Sequence, residues 1–166
     1  MNKFRRDLEY SILASDASFW DRIYIKAFPN MVGNMVCSGL NKSQLAGIDR
    51  VIHLSSGRTI YIDEKKRRAE YDDILLEFIS VDTTGAPGWI EKDLSIDYLA
   101  YAFMQSQRVY LFDWLMLRRA WIRYKQDWKK QYKTIVAVNQ GYKTYSLAVP
   151  TNILMQSIKT ASIIQL

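Results

Sequence analysis

The chain has one cysteine and one histidine in 166 residues. The single cysteine, Cys37, excludes an internal disulfide and suits a reducing compartment. One histidine and one cysteine leave no ligand set for a structural zinc ion. No apolar run approaches the length needed to cross a bilayer, so no membrane partner is expected. The opening stretch, MNKFRRDLEY, carries acids early and lacks the apolar centre of a secretory signal, so the expected location is the cytoplasm. The sequence also lacks a Gly-rich phosphate loop, a nucleophile elbow and a Ser/His/Asp set. It has no internal repeat, low-complexity tract or linker.

What is present is ordinary in bulk and uneven in detail. Hydrophobic residues make up 49% and charged residues 24%, as in a globular protein, and the length predicts one domain over residues 1–166. The net charge of +6, with a pI near 9.4, suits a polyanionic partner.

The informative stretch is Gly47 to Arg67, GIDRVIHLSSGRTIYIDEKKR. Two short apolar-rich runs, Ile48 to Leu54 and Arg58 to Lys65, flank Ser55-Ser56-Gly57, which is a hairpin signal. Asp63 and Lys65 are two residues apart, so the pleat points both to one face. An antiparallel pairing through this turn brings Asp49, at the start of the first strand, beside them. Two carboxylates and an ammonium then meet at one end of the hairpin. Hard oxygen ligands of this kind suit Mg²⁺ or Mn²⁺. A neighbouring lysine can orient a water or neutralise charge developing on a phosphate. A surface ion pair at an exposed hairpin end would have the same spacing.

The order Gly-x-Asp, hairpin, Ile-Asp-Glu-Lys resembles the core of the PD-(D/E)XK nuclease superfamily. Asp49 matches the first metal-binding aspartate, Asp63 the second acid and Lys65 the lysine. Ile48 stands where that motif usually has proline, and the second acid is Asp rather than the commoner Glu. The segments FWDRIYIKAFP, IDEKKR, DILLEF and GWIEKDLSIDYLAYAF look like a group of nuclease-like proteins found in phages and prophages, which would place the chain in the host cytoplasm. The resemblance implies an α/β fold, a restriction-endonuclease-like core with a central mixed β-sheet flanked by helices. It implies a metal-dependent nuclease with Asp49 and Asp63 as ligands of Mg²⁺ (or Mn²⁺), acting on nucleic acid, DNA in the first instance. The alternative is an inactive nucleic-acid-binding or protein-interaction module on the same fold. A homodimer stays open.

The resemblance also implies a third acid from the helix before the hairpin. Residues 3 to 28 read as helical, and Glu9, Asp16 and Asp21 are candidates, with Asp21 preferred. A helix-dipole role accounts for Asp21 equally well. Residues 29 to 46 read as loop, with a short strand or buried turn around Met31 to Val36; Gln44 and His53 carry no strong signal. Asp73 to Val81 reads as a buried third strand. Glu77 interrupts it, and a charge there needs a partner or a cation; the resemblance implies a polar residue of the third strand beside the metal, which makes Glu77 a candidate site residue, and the alternative is that it partners a buried Arg or Lys. Trp89 either stacks on a base or joins the core.

Ser95 to Phe103 reads as a helix capped by Ser95, and Arg108 to Trp114 as a fourth strand. Leu115 to Lys133 reads as an amphipathic helix, with Leu117, Trp121, Tyr124 and Trp128 as its apolar stripe. Its basic residues, with the run after Lys65, supply the expected phosphate contacts: Lys66, Arg67, Arg118, Arg119, Arg123 and Lys129. A merely solvated basic face fits the same pattern. A second hairpin turns at Asn139-Gln140-Gly141, and a helix over Asn152 to Ile158 is expected to take Thr151 as its cap.

Overall fold

The computed structural model describes residues 17–37, 47–159 and 161–166. Glu9, Asp16 and Gln44 lie outside these residues. The fold is α/β, with two sheets and, among the described residues, three α-helices.

The first helix, α1, covers residues 17–27. It leads into β1 (Met31–Val36), β2 (Arg50–Leu54) and β3 (Thr59–Arg67), an antiparallel meander. Between β2 and β3 the Leu54 N–H donates to Arg58 O at 2.9 Å, and Gly57 takes a φ of +82°, which a side chain would resist. The chain then forms β4 (Asp73–Val81), the short β5 (Ala86–Pro87) and a 3-10 turn at Trp89–Glu91. It returns as β6 (Tyr98–Phe103), parallel to β3, followed by antiparallel β7 (Arg108–Asp113). Helix α2 (Trp114–Gln131), the hairpin β8 (Thr134–Asn139) and β9 (Tyr142–Pro150), helix α3 (Thr151–Ile158) and β10 (Ser162–Gln165) complete the chain. The six-stranded sheet runs β1-β2-β3-β6-β7-β10 and is mixed; the four-stranded sheet runs β5-β4-β9-β8.

Each face of the larger sheet is covered by a different layer. Phe19, Trp20, Ile23 and Tyr24 of α1 pack on Ile52, Ile60, Ile62, Ala100, Ala102 and Val109. On the other face, Leu99, Tyr101, Phe103 and Phe112 meet Ile74 and Leu76 of β4, Leu147 and Val149 of β9, and Leu117, Trp121 and Trp128 of α2. The apolar stripe of α2 is therefore core, and Asp113 starts that helix by accepting the Met116 N–H at 3.0 Å.

Two expectations fail here. Ser95 to Phe103 is not a helix: Tyr98–Phe103 is a strand, and the parallel crossover from β3 to β6 runs through β4, β5 and the 3-10 turn. Both faces of β6 are buried, with large side chains toward β4 and α2 and alanines toward α1. Such a strand loses the polar alternation that reveals a half-exposed one, and a short continuous apolar run fits either period. Thr151 does not cap α3. Its Oγ1 is buried without a hydrogen-bond partner, and Pro150 occupies the cap position.

Candidate active site

The β2–β3 register decides the site. Arg50 pairs with Ile62 and Val51 with Tyr61, and the Asp49 N–H donates to Ile62 O at 2.9 Å. Asp49 consequently stands beside Asp63, as the pleat predicted. The Glu64 N–H donates to Asp49 Oδ2 at 2.8 Å and fixes that carboxylate. Asp63 is 3% exposed, and Lys65 Nζ donates to its Oδ1 at 2.6 Å.

Burial is the main cause that pushes Asp63 up to about 7; the Lys65 ammonium pulls it back, and Asp49 raises it both as a hydrogen-bond partner of the protonated form and as a neighbouring negative charge. With Asp63 ionised, its Oδ2 is buried without a hydrogen-bond partner. Two adjacent carboxylates with an orphaned oxygen need either a shared proton or a cation between them.

A cavity of about 350 Å³ opens at this point, lined by Gly47, Asp49, Asp63, Lys65, Trp89, Lys92 and Leu94. Trp89 and Leu94 are buried core residues that wall it with apolar surface. The 3-10 turn carrying Trp89 is held against β4, where the Gly88 N–H donates to Phe78 O at 3.1 Å, and by Arg118, whose Nη1 donates to Ile90 O. Gly47 closes the other side with a φ of +73°. A Cβ there would come within 2.7 Å of Leu94 Cδ2.

These residues fit a hard divalent cation. The donors are carboxylate oxygens, one of them buried and unpartnered, and Mg²⁺ is commonly held by one or two protein carboxylates. No group of three or more His, Cys, Asp or Glu gathers among the described residues, so water and substrate oxygens would have to complete the shell.

The other sequence candidates divide. Glu77 lines an adjoining hollow that shares Lys65, Trp89 and Lys92 with the first. It is therefore next to the two aspartates rather than among them. Asp21 is elsewhere. Its Oδ1 accepts from Arg50 Nη1 at 3.0 Å and from Asn34 Nδ2 at 2.7 Å. Asp21 belongs to α1, and α1 covers the sheet face away from Asp63 and Lys65.

Among the expected phosphate contacts, Arg67 pairs with Asp73 at 2.6 Å and lies over the Tyr71 ring at 3.6 Å. Arg118 is spent on the Ile90 carbonyl and the Trp114 ring. Lys129 lies over Phe78, 4.2 Å from its centroid. Arg119 and Arg123 border a separate groove between α2 and α3, while Lys66 lines the hollow with Glu77.

Sequence reasoning passed over two features. Lys92 lines both hollows. Arg50 is 2% exposed and donates through Nε to Glu64 Oε1 at 2.9 Å, a carboxylate that also accepts from Tyr24 OH at 3.0 Å. Burial raises Glu64 above its ordinary range, and Arg50 opposes that rise. Parity could have found this pair, because Arg50 and Glu64 alternate with Ile52 and Ile62 on the α1 side. Lys92 has no local signal, since a loop lysine near a site looks like any other. No family model, curated protein or solved structure matches the chain.

Proposed function

We propose that the chain is a metal-dependent nuclease that hydrolyses phosphodiester bonds, with Mg²⁺ or Mn²⁺ as cofactor and DNA as the first substrate to test. One observation carries the reading: the buried, unpartnered Oδ2 of Asp63 beside Asp49 and Lys65 in an open cavity. The same reading takes the mixed sheet as a restriction-endonuclease-like core, with helices on both faces, although the β3-to-β6 connection carries two strands and a 3-10 turn where the sequence predicts a helix over Ser95 to Phe103.

Hydrolysis needs a water in line with phosphorus and relief of charge on the phosphate oxygens. A divalent cation, when bound, supplies Lewis-acid stabilisation of that charge. Asp49, oriented by the Glu64 amide, and Asp63 would hold it. Lys65 donates to Asp63 Oδ1 and holds that carboxylate in place. If a cation balanced the Asp63 carboxylate, the Lys65 ammonium would be in place to meet a phosphate oxygen or to hold the attacking water. Trp89 and Leu94 wall one side of the cavity with apolar surface, which would strengthen each of these charge contacts.

A second reading, a binding module without catalysis, draws on the absence of a third acid among the described residues. The two part in one assay. The protein is incubated with DNA and with RNA, in Mg²⁺, in Mn²⁺ and in EDTA, beside Asp49→Ala and Asp63→Ala. The nuclease reading expects cleavage that needs metal and falls at least ~100-fold in both variants, with circular dichroism unchanged. Cleavage by either variant at the wild-type rate would sink it, and binding without cleavage would move the assignment to the second reading.

A further inference from the structure

Each of the two sheets ends in two edge strands, and three of the four are blunted. β5 is two residues long and ends in Pro87, which has no N–H. β10 is four residues long, and β1 breaks its register between Met31 and Gly33. β8 has none of these defences. Its six residues, TIVAVN, pair with β9 without a break and carry no charge. The uncharged stretch runs on from Thr134 to Tyr142, between Lys133 and Lys143, in a chain of net charge +6.

The pairing with β9 sets which groups of β8 are left over. The Ala148 N–H donates to Lys133 O at 3.0 Å, so Lys133 turns its backbone polar groups toward β9. Inward and outward residues alternate along an antiparallel strand, so the N–H and C=O of Thr134, Val136 and Val138 point outward. Among the described residues no strand lies beyond β8 to pair with them. The same three side chains share a sheet face with their partners on β9, Leu147, Tyr145 and Lys143. Leu147 is buried in the core, yet Val136 is 45% exposed and Val138 77%. The apolar pattern of the core face therefore continues past the end of the core, on a strand with unpaired backbone groups.

We propose that β8 pairs antiparallel with β8 of a second copy of the chain and joins the two four-stranded sheets into one continuous sheet. The register that engages all three outward residues is centred on Val136. Val136 then faces Val136 of the second copy, Thr134 faces Val138, and Ile135 faces Ala137 on the other side of the sheet. Charge selects this occupant. Lys133 meets Asn139 instead of another lysine, so no like charges oppose each other along the ladder. A second copy of net charge +6 is repelled by a basic surface and meets least resistance at this uncharged strand. A nucleic acid or an acidic segment would find no cation on β8 itself. The two-fold pairing also closes on itself and leaves no β8 edge for a third copy.

The test is sedimentation equilibrium of the full chain over a concentration and salt series. One strand pair is a small interface, below the roughly 1,200 Å² of standard ones, so dissociation at about 1–100 µM is expected. The mass should climb from 19.4 kDa toward about twice that value as the concentration rises to about 500 µM. Added salt should strengthen the dimer by screening the repulsion between two basic chains. Val136→Lys sets two ammonium groups face to face and should stay monomeric, as should Val136→Glu, while an equimolar mixture of the two should recover the dimer. Under oxidation Val136→Cys should cross-link to itself and Val138→Cys should not, because Val138 faces Thr134 across the pair and Cys37 is buried. Circular dichroism confirms that each variant folds. A wild type that stays at 19.4 kDa up to about 500 µM overturns the proposal. So does a dimer that survives in folded Val136→Lys, a mixture of the Lys and Glu variants that stays monomeric, equal cross-linking of the two cysteine variants, or assembly beyond the dimer. A mass increase that salt abolishes also overturns it, since that marks copies bridged by nucleic acid.

Discussion

Asp63 shows what a buried carboxylate costs the fold. It is raised from 3.8 to about 7, mainly by burial. Between those values the folded metal-free protein holds a proton that the unfolded chain has released. Stability therefore falls as pH rises from about 4 toward 7, and levels off above the folded value. The penalty at pH 8 is on the order of 2–4 kcal/mol, taking roughly 1.4 kcal/mol per pH unit as an upper rate. Asp63→Asn keeps the shape and removes the charge. In EDTA it should be more stable than the wild type at pH 8, with the gap closing toward pH 4, as read by urea unfolding at each pH. Mg²⁺ should raise the wild-type midpoint at pH 8 and leave that of Asp63→Asn nearly unchanged. Equal pH profiles for the two proteins in EDTA would show that Asp63 titrates normally.

The 3-10 turn is the element that makes a cavity out of a hairpin. Without it, Asp49, Asp63 and Lys65 would sit on an open sheet end. Gly88 allows the approach: a Cβ there would lie 2.1 Å from Glu77 O and 2.7 Å from Phe78 N. Backbone cannot yield at those distances, so Gly88→Ala must push the turn off β4 and carry Trp89 and Lys92 with it. The expected result is a loss of about 2–3 kcal/mol in urea unfolding, typical of overpacking. Any metal-dependent cleavage should fall further than the loss of folded protein explains. Unchanged stability would mean that β4 and the turn are not in register as described. The glycine itself was visible in DTTGAPG, but a turn-rich loop offers no local hint that its backbone lies against a strand. The same holds for β6, where burial on both faces erased the period that would have separated strand from helix.

At the scale of the molecule, the two sheets do not own separate cores. Ile74 and Leu76 of β4 and Leu147 and Val149 of β9 share one cluster with Leu99, Tyr101 and Phe112 of the larger sheet and with Trp121 of α2. Opening either sheet would expose apolar surface on the other, so the chain should unfold in one cooperative step. Urea curves from far-ultraviolet circular dichroism and from tryptophan fluorescence should coincide. Separated midpoints would mean that the smaller sheet and α2 form a unit of their own. The charge of +6 acts at this scale too. Arg67 and Arg118 are engaged inside the fold, so fewer basic side chains are free at the surface than the composition implies.

Local periodicity was enough to determine the pair of acids and the lysine. The pleat has period two, the turn at Ser55 to Gly57 sets the pairing, and together they put Asp49, Asp63 and Lys65 on one face without further information. The core stripe of α2 and the full extent of β4 were legible for the same reason, since each is a regular pattern over its own length. Only the tertiary structure decided which layer covers which face of the larger sheet. That choice sent Asp21 to Arg50 instead of the site, made a strand of Tyr98 to Phe103, and brought Trp89, Glu77 and Lys92 to the cleft from segments distant in sequence. Contacts between such segments depend on the register of whole sheets and on the volume left between layers, and neither is written in the pattern of any one stretch.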